Sequence, residues 1–360
     1  MADALANDAD SADRTLAAAL ADIVGAAHVE TAACERAVFS QDVFSKGGLV
    51  DLIVSPGDEA EAAACLKACA QAKTPVYPRG GGMSYTSAYI GARDGGVAFD
   101  TARMNRLLEV NAADMYVRVE AGCSWADLHA ALKPKGLRTP FWGPLSGLSS
   151  TIGGGVSQNN AFFGAGTYGP TAESVLSVSV ALPDGSIVRT GTAGADGARP
   201  FFRHYGPDLT GLFCGDAGAL GLKTEITLKL ICAPAHERWA SFSFQDRDAM
   251  AEAMGELARA GRACEVFGFD PGLTAVRMKR SSITADAKTL AKVVSGQGGL
   301  MKGLKEGAKM ALAGRSFLGE ADYNLHVVTE DASEAGAEDA IKDARAIAQR
   351  HGGRAVEATI

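Results

Sequence analysis

The 360-residue sequence has no excess of basic charge: 35 Lys and Arg stand against 42 Asp and Glu, a net charge of -7. That balance excludes a nucleic acid as the main partner. No apolar run is long enough to cross a bilayer. The start, Met1-Ala2-Asp3 onward, is acidic and has no basic region ahead of an apolar stretch, so it is not a signal peptide. Seven cysteines, an odd number spread along the chain, make no disulfide framework and point to a reducing compartment, with the cytoplasm as the expected location. Cys65 and Cys69, four apart in a helical pattern, read as small buried hydrophobes; the alternative, a metal pair, lacks a His or Cys partner pair at zinc-site spacing, and no metal is expected. Also missing are the lysine of the G-x-x-x-x-G-K-[ST] phosphate loop and the G-x-G-x-x-G spacing of the dinucleotide-binding turn.

Glycine is what the chain has in plenty: 43 of 360 residues, roughly 12% against about 7% in average usage. With 47% hydrophobic and 21% charged residues, the rest describes an ordinary globular protein with length for two or three domains. The glycines gather in loops. Val76-Tyr77-Pro78-Arg79-Gly80-Gly81-Gly82-Met83-Ser84 reads as a strand breaking into three glycines and a hydroxyl. Three glycines permit positive φ and let successive N–H groups converge on a phosphate, although such a loop can also be a plain turn. Further segments are Gly143 to Gly155, Gly164 to Gly169 and Gly215 to Ile226, with Ser and Thr interleaved. Four such loops imply one extended ligand touched at several points.

Leu49–Val54 reads as a strand, 58–72 as a helix with acids in its first turn, and Val76–Tyr77 as the next strand, a short β-α-β unit. Strands are expected at 96–99, 116–120 and 223–230, with a hairpin of 175–182 and 187–190 around Pro183-Asp184-Gly185. Helices are expected from Ser11 through Val24, over 124–132 and over 208–213, while 151–160 reads only as glycine-rich and polar. From about residue 235 strands (239–244, 264–269, 325–329, 354–360) and helices (249–260, 333–350) alternate as in a separate α+β domain. The last residues read as a strand without a closing element, so a continuation is expected.

The order of these motifs resembles the flavin-dependent oxidoreductases built on the FAD-binding domain of vanillyl-alcohol oxidase and p-cresol methylhydroxylase (PCMH). D-lactate and glycolate dehydrogenases and alkylglycerone-phosphate synthase are relatives. The resemblance runs from Leu49 to about Leu230 and includes Phe99 to Arg106, Val119 to Trp125 and Gly206 to Phe213. It implies an α+β fold: a helical segment at 1–45, a two-subdomain PCMH-type FAD-binding domain at 46–232, and an incomplete α+β substrate or cap domain at 235–360. It further implies that Pro78, Arg79, Gly80, Gly81, Gly82, Met83 and Ser84 hold the pyrophosphate. Pro144, Leu145, Ser146, Thr151, Gly153 and Gly154 would follow the ribityl chain and flavin side, and Tyr168, Gly169 and Gly218 are further cofactor-binding candidates. Glu173, Val175, Gly221, Thr224 and Ile226 would approach the adenine portion. Structural readings stand beside these: Arg79 as an ion-pair partner, 153–155 as a place of tight helix packing, Tyr168 and Trp142 as wall aromatics.

The implied activity is hydride transfer from a substrate C–H to FAD, with a small D-2-hydroxy acid such as lactate or glycolate preferred. A 4-alkylphenol or benzylic alcohol is the alternative, and a non-catalytic FAD-binding subunit is another. Oxygen, a quinone or a cytochrome would take the electrons, and a homo-oligomer is open. Some relatives tether FAD through His, Tyr or Cys, but Met83-Ser84-Tyr85-Thr86 stands where one branch has its His, so FAD is expected to be non-covalent. Of the six histidines only His204 and His326 are considered near a pocket, and each reads more readily as structural or surface. The histidine-rich catalytic and metal motifs of the hydroxy-acid dehydrogenases have no counterpart, leaving the catalytic base unassigned.

Overall fold

Val76–Arg79 is a strand whose residues are only half-buried, and it lies at the edge of a four-stranded sheet. The computed structural model describes residues 16–273 and 322–356. The chain divides into two units, Met1–Ala233 and Pro234–Ile360.

In the first unit, that sheet runs in the order Val29–Glu30, Leu52–Val54, Val97–Asp100, Val76–Arg79. The last three strands are parallel, and Val29–Glu30 joins antiparallel. The strands 52–54 and 76–79 of the short β-α-β unit therefore do not pair; Val97–Asp100 lies between them. The helix connecting them, Glu59–Gln71, is started by Asp58, whose carboxylate accepts from the Glu61 N–H at 2.8 Å. Its Ala62, Cys65, Leu66 and Cys69 pack with Leu16, Leu20 and Val24 of a helix over 16–24 and with Val54, Val97 and Phe99 of the sheet. Ser11, the expected cap of that first helix, lies outside the described residues.

The second sheet of this unit is antiparallel, in the order Leu107–Asn111, Tyr116–Glu120, Leu222–Lys229, Val175–Ala181, Ile187–Arg189. The hairpin around 183–185 is present. The strand 107–111 has no expectation behind it, because it is an edge strand with a register shift between Leu107 and Glu109 and no clean alternation. Helix Trp125–Leu132, capped by Ser124 on the Asp127 N–H at 3.0 Å, adds Trp125, Leu128 and Leu132 to the core beneath this sheet.

Residues 152–158, which the sequence marks only as glycine-rich, form a helix (Ile152–Gln158) capped by Thr151. Its glycines permit close approach. A Cβ at Gly153 would stand 2.7 Å from the Ala121 Cβ, and one at Gly155 2.9 Å from the Trp125 ring. Tertiary contact here overrides low helix propensity.

The second unit is a four-stranded antiparallel sheet in the order Glu265–Phe269, Tyr323–Asp331, His236–Phe244, Arg354–Val356. Helices Arg247–Ala260 and Glu334–Arg350 pack on it through Met250, Ala253, Leu257, Ile341, Ala344 and Ile347. Residues 357–360, the end of the expected last strand, lie outside the described residues.

Candidate functional site

The strand 76–79 delivers its glycines to a cavity of about 600 Å³ in the first unit, within the range of small-molecule sites. The structure gathers Pro78 to Ser84, Pro144 to Ser146, Thr151, Gly153, Gly154, Gly218 and Gly221 along its walls. Six other sequence candidates lie off it. Val175 and Ile226 are core residues of the second sheet, 1% and 0% exposed. The Thr224 hydroxyl donates to the Glu59 carboxylate at 2.9 Å and the Ser179 carbonyl at 3.2 Å. Gly169 and Glu173 belong to the turn and short helix after 165–168, with a Cβ at Gly169 falling 2.7 Å from the Glu173 Cγ. Tyr168 stands beneath the Arg138 guanidinium at 6.0 Å.

The triple glycine differs in detail from its expected role. Only Gly82 has a positive φ, 65°. Gly80 and Gly81 are needed for contact instead: their Cβ atoms would fall 2.2 Å from the Thr151 Oγ1 and 1.7 Å from the Ser149 carbonyl oxygen. The loop is thus locked against the 149–151 turn. Among the described residues, the N–H groups of Gly80, Gly81, Gly82, Met83 and Ser84 find no protein acceptor, and all five residues line the cavity. Gly80, Gly82 and Ser84 are half-buried and Gly81 and Met83 exposed, so these N–H groups are open to a ligand, and such a run of successive backbone donors, a nest, suits an anion. The start of helix 152–158 offers no such donors, because the N–H groups of Ile152, Gly153 and Gly154 go to Cys123 O (2.8 Å), Ala121 O (2.8 Å) and Thr151 Oγ1 (3.2 Å). Across the cavity, Ser84, Thr86 and Gln158 form a side-chain chain at 2.9 and 3.1 Å.

Arg79 lines the cavity but spends its guanidinium on the loop's support. Nη1 donates to the Gln41 carbonyl at 2.7 Å, and the group lies 4.9 Å from the Phe39 ring and 5.0 Å from the Tyr89 ring. Burial lowers its pKa, opposed by Tyr89, Asp100 and Asp42. Asp42 is held below the ordinary carboxylate value, first by the Ser45 N–H at 2.5 Å and then by those of Phe44 and Ser87 at 2.8 Å.

The second cation on the wall, Lys223, escaped the sequence reading because it looks like the polar residue of an alternating strand. It is 2% exposed and forms an ion pair with Asp216, itself 2% exposed and also accepting from the Gly218 N–H at 3.0 Å and the Leu220 N–H at 3.3 Å. Burial lowers the Lys223 pKa, and Asp216 opposes this. Among the described residues no Asp, Glu, His or Cys lines the cavity, and of its two cations Lys223 is paired with Asp216. Tyr85, Tyr89, Val43 and Gln158 also line it without any glycine-loop signal to announce them.

Neither His204 nor His326 reaches this cavity. His204 meets Phe202 edge-on, while His326, in the second unit, pairs its Nδ1 with the Ser241 hydroxyl at 2.9 Å and stacks on Phe267. Trp142 stacks on Phe163 at 4.5 Å and does not line the cavity. Among the described residues no three His, Cys, Asp or Glu gather as metal ligands, and no helix is long and apolar enough to cross a membrane.

Comparison with known proteins adds a family to this geometry. Residues 50–191 match the family described as FAD binding domain. The chain is 30% identical over 246 residues to 1'-carboxy-chondrochloren decarboxylase of Chondromyces crocatus (67% of this chain, 44% of the relative). It is 35% identical over 205 residues to the mitochondrial D-lactate dehydrogenase [cytochrome] of Arabidopsis thaliana (57% and 34%). It is 30% identical over 226 residues to the glycolate oxidase subunit GlcD of Bacillus subtilis (62% and 46%). The chain thus spans less than half the length of these relatives. In fold it is similar to p-cresol methylhydroxylase with substrate bound, at a TM-score of 0.75 and 16% identity, covering 96% of this chain and 66% of that one.

Proposed function

We propose, from the premise that the chain belongs through residues 50–191 to the FAD binding domain family, that it is an FAD-dependent oxidoreductase acting on a small D-2-hydroxy acid such as lactate or glycolate. The observation that carries this reading is the run of five N–H groups, Gly80 to Ser84, without a protein acceptor among the described residues, on a cavity they leave free of carboxylates. These groups fit the diphosphate. The hydroxyls of Ser146 and Thr151 supply short polar groups, and the bare backbone of Gly153 and Gly154 supplies room, for the rest of the cofactor. Bound FAD supplies the hydride acceptor; the protein orients it and shapes its surroundings. Among the described residues no His or Cys lines the cavity, which supports non-covalent binding; of its two tyrosines, Tyr89 donates its hydroxyl to the Ser84 carbonyl at 3.2 Å and Tyr85 is exposed.

In this reading 46–232 is the FAD-binding domain, 1–45 leads into it, and 235–360 is a substrate or cap domain. Two of the relatives, a D-lactate dehydrogenase and a glycolate oxidase subunit, support the substrate class. All seven cysteines are unbridged thiols, which supports the cytoplasm as its location. Purified protein carrying FAD that is bleached anaerobically by D-lactate or glycolate, and not by 4-ethylphenol, is the expected outcome. Protein that neither contains nor takes up FAD would overturn the proposal; bleaching by the phenol alone would overturn its substrate class. Oxygen, a quinone and a cytochrome then compete as acceptors in the same assay.

A further inference from the structure

A run of backbone donors binds an anion only while its peptides keep their orientation, because a peptide that turns over presents its carbonyl oxygen where its N–H stood. The nest of Gly80 to Ser84 is hydrogen-bonded through its carbonyls only at its two ends. The Arg79 carbonyl accepts from the Thr101 N–H at 3.1 Å and from the Thr101 hydroxyl at 3.3 Å. The Ser84 carbonyl accepts from the Val43 N–H at 3.2 Å and from the Tyr89 hydroxyl at 3.2 Å. Among the described residues, no carbonyl of Gly80, Gly81, Gly82 or Met83 accepts a hydrogen bond. One side chain reaches both ends. Tyr89 is 8% exposed and lines the cavity. Its hydroxyl is spent on Ser84, while its ring lies 5.0 Å from the Arg79 guanidinium. That guanidinium in turn supports the middle of the loop: a Cβ at Gly82 would stand 2.8 Å from the Arg79 Cζ. Burial raises the Tyr89 pKa, so the hydroxyl keeps its proton and goes on donating near neutrality.

We propose that Tyr89 is a positioning residue for the anion: its hydroxyl holds the last peptide of the nest and its ring backs the Arg79 guanidinium on which the loop folds, so that the five N–H groups stay presented to one diphosphate. The inference rests on the cofactor reading above and adds to it the side chain that keeps the anion subsite formed. Tyr89 acts through the loop and not on the ligand, because its one O–H is already donated to Ser84. Losing that bond frees the Ser84 peptide, and the binding of any diphosphate then has to order it again. One hydrogen bond of this kind is worth about five-fold in affinity.

The test titrates flavin-free protein with three probes: FAD, ADP (the diphosphate without a flavin) and riboflavin (the flavin without a diphosphate). Flavin fluorescence reads the first and third, calorimetry the second, and thermal unfolding is measured in parallel. Tyr89→Phe keeps the ring and loses the hydroxyl. It is expected to unfold near the wild-type temperature, to bind FAD and ADP more weakly by the same factor of about five, and to bind riboflavin unchanged. Tyr89→Leu, which also removes the ring, is expected to lower the unfolding temperature and to weaken ADP further. A Tyr89→Phe variant that binds FAD and ADP within two-fold of wild type would overturn the proposal. So would an equal loss on riboflavin, which would make the hydroxyl a general support of the fold. A Leu variant that binds ADP as tightly as Tyr89→Phe would remove the ring from the proposal. Wild-type protein that takes ADP but not FAD would instead sink the cofactor reading and leave Tyr89 to be judged on ADP; wild type that takes neither would overturn both.

Discussion

A Cβ added to Gly81 would stand 1.7 Å from the carbonyl oxygen of Ser149. The glycine loop and the 149–151 turn are thus pressed together backbone to backbone, with no flexible side chain able to yield. Gly81→Ala must therefore push the two loops apart and disorder the nest between them. A loss of about 2–4 kcal/mol of stability is expected, together with failure to retain flavin. Denaturant unfolding and the flavin-to-protein absorbance ratio check it; a Gly81→Ala variant as stable as wild type would refute the contact.

Gly154 separates binding from folding. Its added Cβ meets only the Thr151 Oγ1, at 3.1 Å, and the residue lines the cavity within helix 152–158. Replacing a helical glycine by alanine stabilises by about 0.5–1 kcal/mol, which offsets the small adjustment Thr151 must make. Gly154→Ala is expected to hold or slightly raise the unfolding temperature while weakening FAD binding. Equal FAD affinity in the two proteins would show that this wall is not in contact with the cofactor.

The contrast between these two glycines marks how far the sequence speaks. Their grouping was visible as a pattern, and Pro78 to Ser84 do line one cavity. The reason each is glycine was not visible, because Gly80 and Gly81 answer to residues about 70 positions away in the 149–151 turn. Thr224 and Ile226 fail for a related reason. They follow Gly221 closely in sequence, but the strand 222–229 carries them from the cavity rim into the sheet, where Ile226 is fully buried. Lys223 was hidden by the same alternation: in step with Glu225, Thr227 and Lys229 it reads as a solvent-facing position, and only the fold shows its ion pair with Asp216. The strand 97–100, by contrast, was legible, but its insertion between 52–54 and 76–79 is a matter of topology that local pattern does not encode.

Arg79 is expected to act as a clamp. Its guanidinium ties the strand end to the Gln41 carbonyl and lies near Phe39 and Tyr89, contacts that an ammonium does not reproduce. Arg79→Lys should destabilise by about 1–3 kcal/mol, close to the effect of Arg79→Met. Unfolding curves of the two variants decide this. If Arg79→Lys keeps full stability while Arg79→Met does not, charge alone matters there and the clamp reading fails.

Asp42 gives a pH dependence with a definite sign. Its folded pKa lies below the ordinary 3.8, chiefly because the Ser45 N–H donates to it, with Phe44 and Ser87 adding to the effect. A depressed folded pKa means the unfolded chain binds the proton more readily. The contribution is therefore present above the unfolded pKa and lost as pH falls through the folded one, on the acid side of 3.8. Asp42→Asn should flatten the fall of unfolding temperature in that acid window and change little of its slope near neutrality. An unchanged acid limb would remove Asp42 from the groups that tie 42–45 to Ser87.

The seven thiols provide a check on compartment and core together. Cys34 and Cys232 are exposed, whereas burial pushes Cys65 and Cys69 from 9.0 to about 12, and Cys123 and Cys214 to about 11. Only the thiolate attacks a disulfide reagent, so at about pH 8 the fraction available at Cys65 is lower than at an unshifted thiol by about 10³-fold, before steric protection is counted. Native protein is expected to titrate two thiols quickly and the rest at the rate of unfolding, with all seven reacting in denaturant. Fast reaction at Cys65 or Cys69 would mean that helix 59–71 opens from its sheet on the time scale of the assay. Fewer than seven thiols in denaturant would reveal a disulfide and overturn the reducing compartment inferred from the sequence.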